Sequence, residues 1–128
     1  MEYFLTEEQK MIKEIAGNIT EERIKPVRAE LDEKEQFPWE IVKEIASADL
    51  FRVFIPEEYE GMGGGSLDLC IAVEELSRGC CGVSICYAAV ALATIPILRF
   101  GSPEQKQKYL PQIAGGRLGA FGLTEASA

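Results

Sequence analysis

Gly116-Arg117-Leu118-Gly119-Ala120-Phe121-Gly122-Leu123-Thr124-Glu125-Ala126-Ser127-Ala128 is the stretch that decides the fold. A charged, helix-patterned segment ends at two glycines, and small and bulky apolar residues then alternate. That alternation predicts a β-strand that packs closely against a neighbour. Thr124-Glu125-Ala126-Ser127-Ala128 reads as the start of a turn rich in backbone donors. A strand cannot stand alone, because its N–H and C=O groups need partners. Nothing upstream reads as a partner strand. The partners are therefore expected either from another chain or from further residues of a longer protein.

Working back from this segment, the pattern is helical. Ser102-Pro103-Glu104-Gln105 is a capping box with Pro at the first helical position. Lys106, Tyr109, Leu110 and Ile113 form the inward stripe of the helix it opens, and Gly115 and Gly116 end it. Val83 to Phe100 predicts a buried helix with few charges, perturbed by Pro96 and closed by Gly101. Leu67 to Arg78 predicts a central helix that Ser66 can cap. Gly61, Gly63, Gly64 and Gly65 mark the preceding stretch, Glu57 to Ser66, as a flexible connector. It has no G-x-G-x-x-G and no Walker lysine, so no phosphate site is read there. Phe51 to Pro56 reads as a short extended link.

Nearer the N-terminus, Phe37-Pro38-Trp39 starts a helix whose apolar side is Trp39, Val42, Ile45, Ala46 and Leu50. Val27 to Gln36 is charged and reads as a short exposed helix or turn. Thr6-Glu7-Glu8-Gln9 is another capping box, with Met11, Ile12, Ile15, Ala16 and Ile19 following at helical spacing and Pro26 as the stop. The fold class is therefore all-α, a bundle of about five helices over residues 1–115, followed in residues 116–128 by the first strand of something else.

Composition narrows the function. In 128 residues, 47% are hydrophobic, which suffices for a core. The net charge of −8 argues against nucleic acid and anionic membrane as main partners. Histidine is absent, which removes a Ser-His-Asp triad and imidazole metal ligands, and no metal site is read. Cys70, Cys80, Cys81 and Cys86 form no C-x-x-C pair and read as reduced, small apolar residues of a cytoplasmic protein. The opening Met1-Glu2-Tyr3-Phe4-Leu5-Thr6-Glu7-Glu8 is neither a secretory signal nor an Arg-rich transit peptide. The apolar run from Val83 to Leu98 falls short of the ~20 residues that span a bilayer.

Taken in order, several motifs resemble one family, the acyl-CoA dehydrogenases. These are Leu5-Thr6-Glu7-Glu8-Gln9, Ile55-Pro56-Glu57-Glu58-Tyr59 and Leu67-Asp68 followed by Val73-Glu74-Glu75-Leu76-Ser77-Arg78. Phe100-Gly101-Ser102-Pro103-Glu104-Gln105-Lys106, Lys108-Tyr109-Leu110-Pro111 and Gly119-Ala120-Phe121-Gly122-Leu123-Thr124-Glu125 continue it. The resemblance implies the whole N-terminal helical domain, residues 1–115, and the first strand and turn of the family's middle β-domain, truncated, in residues 116–128. It implies FAD as cofactor, an acyl-CoA thioester as substrate, an electron-transferring flavoprotein as partner, a homotetramer and a place in fatty acid metabolism.

The family's reaction is α,β-dehydrogenation. A glutamate takes the α-proton while hydride leaves the β-carbon for the flavin, and hydrogen bonds to the thioester carbonyl stabilise the enolate-like charge. The resemblance places that base in a C-terminal domain, so no catalytic residue is assigned here; Glu74, Glu75 and Glu125 are not promoted to it. Glu74 and Glu75 read as ion-pair partners of Arg78. By the same resemblance Phe121, Gly122, Leu123 and Thr124 lie along the isoalloxazine ring, and Glu125, Ala126, Ser127 and Ala128 begin the flavin-binding turn. Ala126 stands where the family commonly has proline. Ser84, Tyr87, Ala88 and Ala91 are the expected acyl-pocket residues, with the Tyr87 ring either limiting pocket depth or packing in the core. The chain alone is expected to be inactive and to retain no FAD. Two other readings stay open: an oxygen-using acyl-CoA oxidase or flavin monooxygenase of the same superfamily, and a short non-catalytic helical module for assembly or partner binding.

Overall fold

A computed structural model describes residues 4–127. It contains six α-helices among the described residues: α1 (Glu7–Ile19), α2 (Arg28–Glu33), α3 (Trp39–Ser47), α4 (Ser66–Gly79), α5 (Cys81–Phe100) and α6 (Pro103–Ala114). α1 runs on into a π-helical turn, Thr20–Ile24, and short 3₁₀ turns occupy Leu50–Arg52 and Glu57–Tyr59. The helical-bundle class holds, with α2 as the short exposed helix beside the five longer ones.

Both capping boxes form as the sequence predicts. The Thr6 hydroxyl accepts from the Gln9 N–H at 3.2 Å while the Gln9 side chain accepts from the Thr6 N–H at 3.1 Å. Ser102 and Gln105 repeat the exchange at 3.3 and 2.8 Å. Each pair satisfies donors that a helix start otherwise leaves open. α4 departs from the expectation. Its cap is Gly65, not Ser66, and Asp68 reaches back to accept the Gly65 N–H at 2.7 Å. The conformation needs no side chain at the cap when the third helical residue is acidic.

α4 and α5 make up the centre and are joined by Cys80 alone, in an extended conformation. α1 lies across α4. The π-helical turn that continues α1 packs tightly on α4 at Gly79, where an added Cβ would sit 2.8 Å from Ile24 Cγ2 and 2.9 Å from Thr20 Cγ2. Thr20 is fully buried there, and its hydroxyl donates to the Glu75 carbonyl at 2.9 Å. The core then gathers Ile41, Val42 and Ile45 of α3, Leu50, Phe51, Val53 and Ile55, Ala72 and Leu76 of α4, Val83, Tyr87 and Val90 of α5, and Leu110, Ile113 and Ala114 of α6.

Several expectations are corrected. Residues 118–125 form no strand, and no strand occurs among the described residues. The backbone there has no ladder to join, so alternation alone leaves it irregular. Phe51 to Pro56 is not an extended link: it is compacted by 3₁₀ and turn hydrogen bonds, which bury Phe51, Val53 and Ile55. The glycine-rich stretch is held rather than flexible. Met62 N–H donates to the Arg52 carbonyl and Gly63 N–H to the Ile55 carbonyl, both at 2.8 Å. Gly61 lies so close to the Ile55 carbonyl that no Cβ fits. Trp39 and Met11 face solvent, as does much of Tyr109, and Leu50 is buried in a 3₁₀ turn outside α3. α5 is not buried all round.

Candidate functional site

Two surfaces meet on α5. Its inner face buries Val83, Ser84, Tyr87, Val90, Ala91 and Thr94. Its outer face presents Ile85, Leu92 and Ile95, all exposed, with the half-buried Ala88 between Ile85 and Leu92. Spacings of three and four residues put Ile85, Ala88, Leu92 and Ile95 in one row along the helix. With 20 apolar-rich residues, α5 has the length and composition of a membrane-crossing helix; its inner face is part of this core.

The C-terminal segment crosses α5 at Ala93. At Gly119 an added Cβ would lie 2.9 Å from the Ala93 Cβ, so only glycine lets the backbone approach so closely. Beyond that crossing, residues 120–127 are exposed. Residues 118–127 make no backbone hydrogen bond among the described residues. The Cβ position of Gly122 is open, with nothing within 4 Å. Phe121, Gly122, Leu123, Thr124, Glu125, Ala126 and Ser127 therefore offer free donors and acceptors on an accessible strip; Ala128 lies outside the described residues. A flat polar-edged ring fits such a strip, since its pyrimidine edge can pair with free backbone groups and the Thr124 hydroxyl.

The four residues expected to line an acyl pocket do not share one open face. Ser84 is buried and donates to the Val73 carbonyl at 3.0 Å. Tyr87 is fully enclosed, its ring centroid 5.6 Å from that of Phe51 and 5.9 Å from that of Phe54, and its hydroxyl donates to the Leu50 carbonyl at 2.9 Å. Burial drives its phenol pKa well above the ordinary value. Ala88 belongs to the outer row. Ala91 lines a cleft of about 650 Å³ between α5 and the glycine-rich loop, which Ile95 of the outer row lines too, with Phe54, Leu69, Leu98 and Arg99. Ile85, Leu92 and Ile95 are the residues the sequence reading missed. Their spacing is visible in the sequence, but α5 is apolar on both sides, so periodicity alone cannot say which side faces out.

Of the carboxylates set aside as bases, Glu125 lies on the exposed strip. Glu75 is buried and ion-paired with Arg78, and that hydrogen bond raises the guanidinium pKa. Glu74 is exposed on α4. All four cysteines are free thiols, but Cys70 and Cys81 are exposed rather than packed as small apolar residues. Partial burial raises the Cys86 thiol pKa. No cluster of three or more metal-ligating side chains occurs among the described residues.

Residues 6–117 match the family model for the acyl-CoA dehydrogenase N-terminal domain. The chain belongs to the acyl-CoA dehydrogenase family. It is 40% identical over 129 residues to the acryloyl-CoA reductase (NADH) of Anaerotignum propionicum, covering 100% of this chain and 33% of that protein. The structure superposes on butyryl-CoA dehydrogenase from Megasphaera elsdenii with a TM-score of 0.90 at 35% identity, over 100% of this chain and 35% of that one. An acyl-CoA dehydrogenase from Bacillus anthracis, solved in complex with FAD, superposes with a TM-score of 0.88 at 31% identity, over 99% of this chain and 22% of that one. The chain thus spans about a third of the length of the reductase and of butyryl-CoA dehydrogenase. As an acyl-CoA dehydrogenase N-terminal domain, it shares its helical fold with these structures over nearly its whole length.

Proposed function

We propose that this chain serves as the helical domain of an FAD-dependent acyl-CoA dehydrogenase, helping to hold the flavin and the acyl tail for α,β-dehydrogenation of an acyl-CoA thioester. One observation carries the reading: the strip 120–127, with its free backbone groups, leaves α5 at Ala93, and the same helix presents an exposed apolar row at Ile85, Leu92 and Ile95. A cofactor on the strip and an aliphatic tail on the row would both lie against α5. Bound flavin supplies a two-electron hydride acceptor.

The chain's own residues bind and orient. The free backbone groups of residues 121–124 and the Thr124 hydroxyl pair with the polar edge of the ring, and Gly122 lets the backbone lie close to it. Ile85, Ala88 and Leu92 take the tail out of water, each buried methylene contributing about 0.8 kcal/mol. The row carries no polar group that could hydrate the reacting carbons. No carboxylate of this chain is assigned as the base, and Glu75 is tied to Arg78. Electrons then pass to an electron-transferring flavoprotein. The same groups serve the reductive direction, the activity for which the Anaerotignum relative is named.

The test is a chimera in which this chain replaces the matching third of the Megasphaera butyryl-CoA dehydrogenase. Retained flavin absorbance and dye-linked oxidation of an acyl-CoA are expected. A folded chimera that binds no flavin refutes the reading.

A further inference from the structure

Trp39 is the chain's single tryptophan, and it stands 58% exposed on the first turn of α3 rather than in the core. Phe37, two residues earlier, is 43% exposed. Their ring centroids lie 4.6 Å apart with the planes tilted by 55°, so the pair makes an open angle and not a closed stack. The turn that carries them is strained. Glu35 takes a left-handed conformation, φ 52°, without being glycine. Pro38 is the centre of an inverse γ-turn, in which the Trp39 N–H donates to the Phe37 carbonyl at 2.9 Å. The Gln36 N–H is fixed on the Leu31 carbonyl at 3.1 Å. Strain of this kind, spent to hold two aromatic rings in water, points to a ligand for the rings.

Beside the rings is a cleft of about 280 Å³, which Val27, Leu31, Pro38 and Ile41 also line. Glu30 and Glu40 stand at it. Their carboxylates already accept from Lys34 at 2.5 Å and from Lys43 at 2.7 Å, and these hydrogen bonds hold both carboxyls below the usual range, so both are charged. Residues 28–44 carry six carboxylates against three cations. The cleft is therefore aromatic and aliphatic inside a negative field, and its carboxylates are already engaged. A primary ammonium would lose water there without gaining acceptors for its three donors. A quaternary ammonium needs no acceptor. Its charge is attracted to the ring faces, and its methyl groups pack on the aliphatic side chains.

We propose that the Phe37–Trp39 angle, with Glu30 and Glu40 beside it, binds a quaternary ammonium group. Every lining residue falls between Val27 and Ile41, so the site shares none with the flavin strip or the outer row of α5 and stands independently of that reading.

Trp39 reports on its own site. The 128-residue chain is titrated with choline at constant ionic strength while the emission of Trp39 is followed. A saturable change with a millimolar dissociation constant is expected. The uncharged carbon isostere of choline, which has its shape without its charge, binds about tenfold more weakly. Phe37→Leu keeps the reporter and weakens choline about fivefold, the loss of one cation–π face. Glu30→Gln combined with Glu40→Gln also weakens it, through the lost negative field, and added salt does the same to the unaltered chain. Circular dichroism of both variants keeps the helical signal, since all three side chains are exposed. An emission that never saturates overturns the proposal. So does an isostere that binds as well as choline, or a folded Phe37→Leu chain with unaltered affinity.

Discussion

Replacing Tyr87 with Phe removes one oxygen from the centre of the bundle and leaves both ring contacts in place. The lost group is a hydroxyl donating at 2.9 Å to the Leu50 carbonyl, and both residues are essentially inaccessible to water. A hydrogen bond of this kind is worth about 1 kcal/mol net, and leaving the buried carbonyl unsatisfied raises the cost to about 1–3 kcal/mol. For a chain of this length each kcal/mol moves the melting temperature by about 4 °C, so Tyr87→Phe should melt about 4–12 °C lower.

The same residue makes a second, alkaline signature. Burial raises the folded-state phenol pKa above its unfolded value near 10. The folded state then holds the proton more tightly than the unfolded state. The stabilisation is fully present below pH ~10 and is lost as pH rises above it, with a slope of up to about 1.4 kcal/mol per pH unit. Wild type should therefore lose stability more steeply than Tyr87→Phe above pH ~10, and the two curves should converge. Urea unfolding followed by circular dichroism at neutral and alkaline pH measures both effects. A variant with unchanged melting temperature and an unchanged alkaline slope would refute the packing argument for Tyr87.

Gly61→Ala should prevent the loop from closing as observed, because the new Cβ overlaps the Ile55 carbonyl; a loss of at least about 3 kcal/mol in urea unfolding, or failure to fold, is expected. Ser102→Ala breaks one exchange of the α6 capping box and should cost about 1 kcal/mol, read as a fall of about 4 °C in melting temperature with no change in helical content.

Much of the architecture was legible because its signals are local. Thr6 with Gln9 and Ser102 with Gln105 carry their caps within four residues. Ile45 and Leu110 sit on stripes with a clear polar complement. The losses occur where tertiary context decides. Ser66 is a good cap by residue type, yet the helix starts one residue earlier, with Gly65 as cap and Asp68 accepting the Gly65 N–H. The glycines of residues 61–65 read as freedom from composition, whereas carbonyls of Arg52 and Ile55 pin them. Tyr87 and Ile85 lie on one apolar helix whose two sides differ only in what packs against them. Residues 118–125 have the pattern of a strand, and pattern without a partner does not make a ladder.

The single-residue junction at Cys80 bears on how quickly the chain can organise. Bringing α4 against α5 closes almost no loop, so the chain gives up little entropy to form this pair. The costly part of the search lies in contacts between distant positions. The Thr20–Glu75 bond spans 55 residues and the Tyr87–Leu50 bond spans 37. On topological grounds the α4–α5 hairpin is the cheap nucleus, and the docking of α1 and of the Leu50 turn onto it sets the rate.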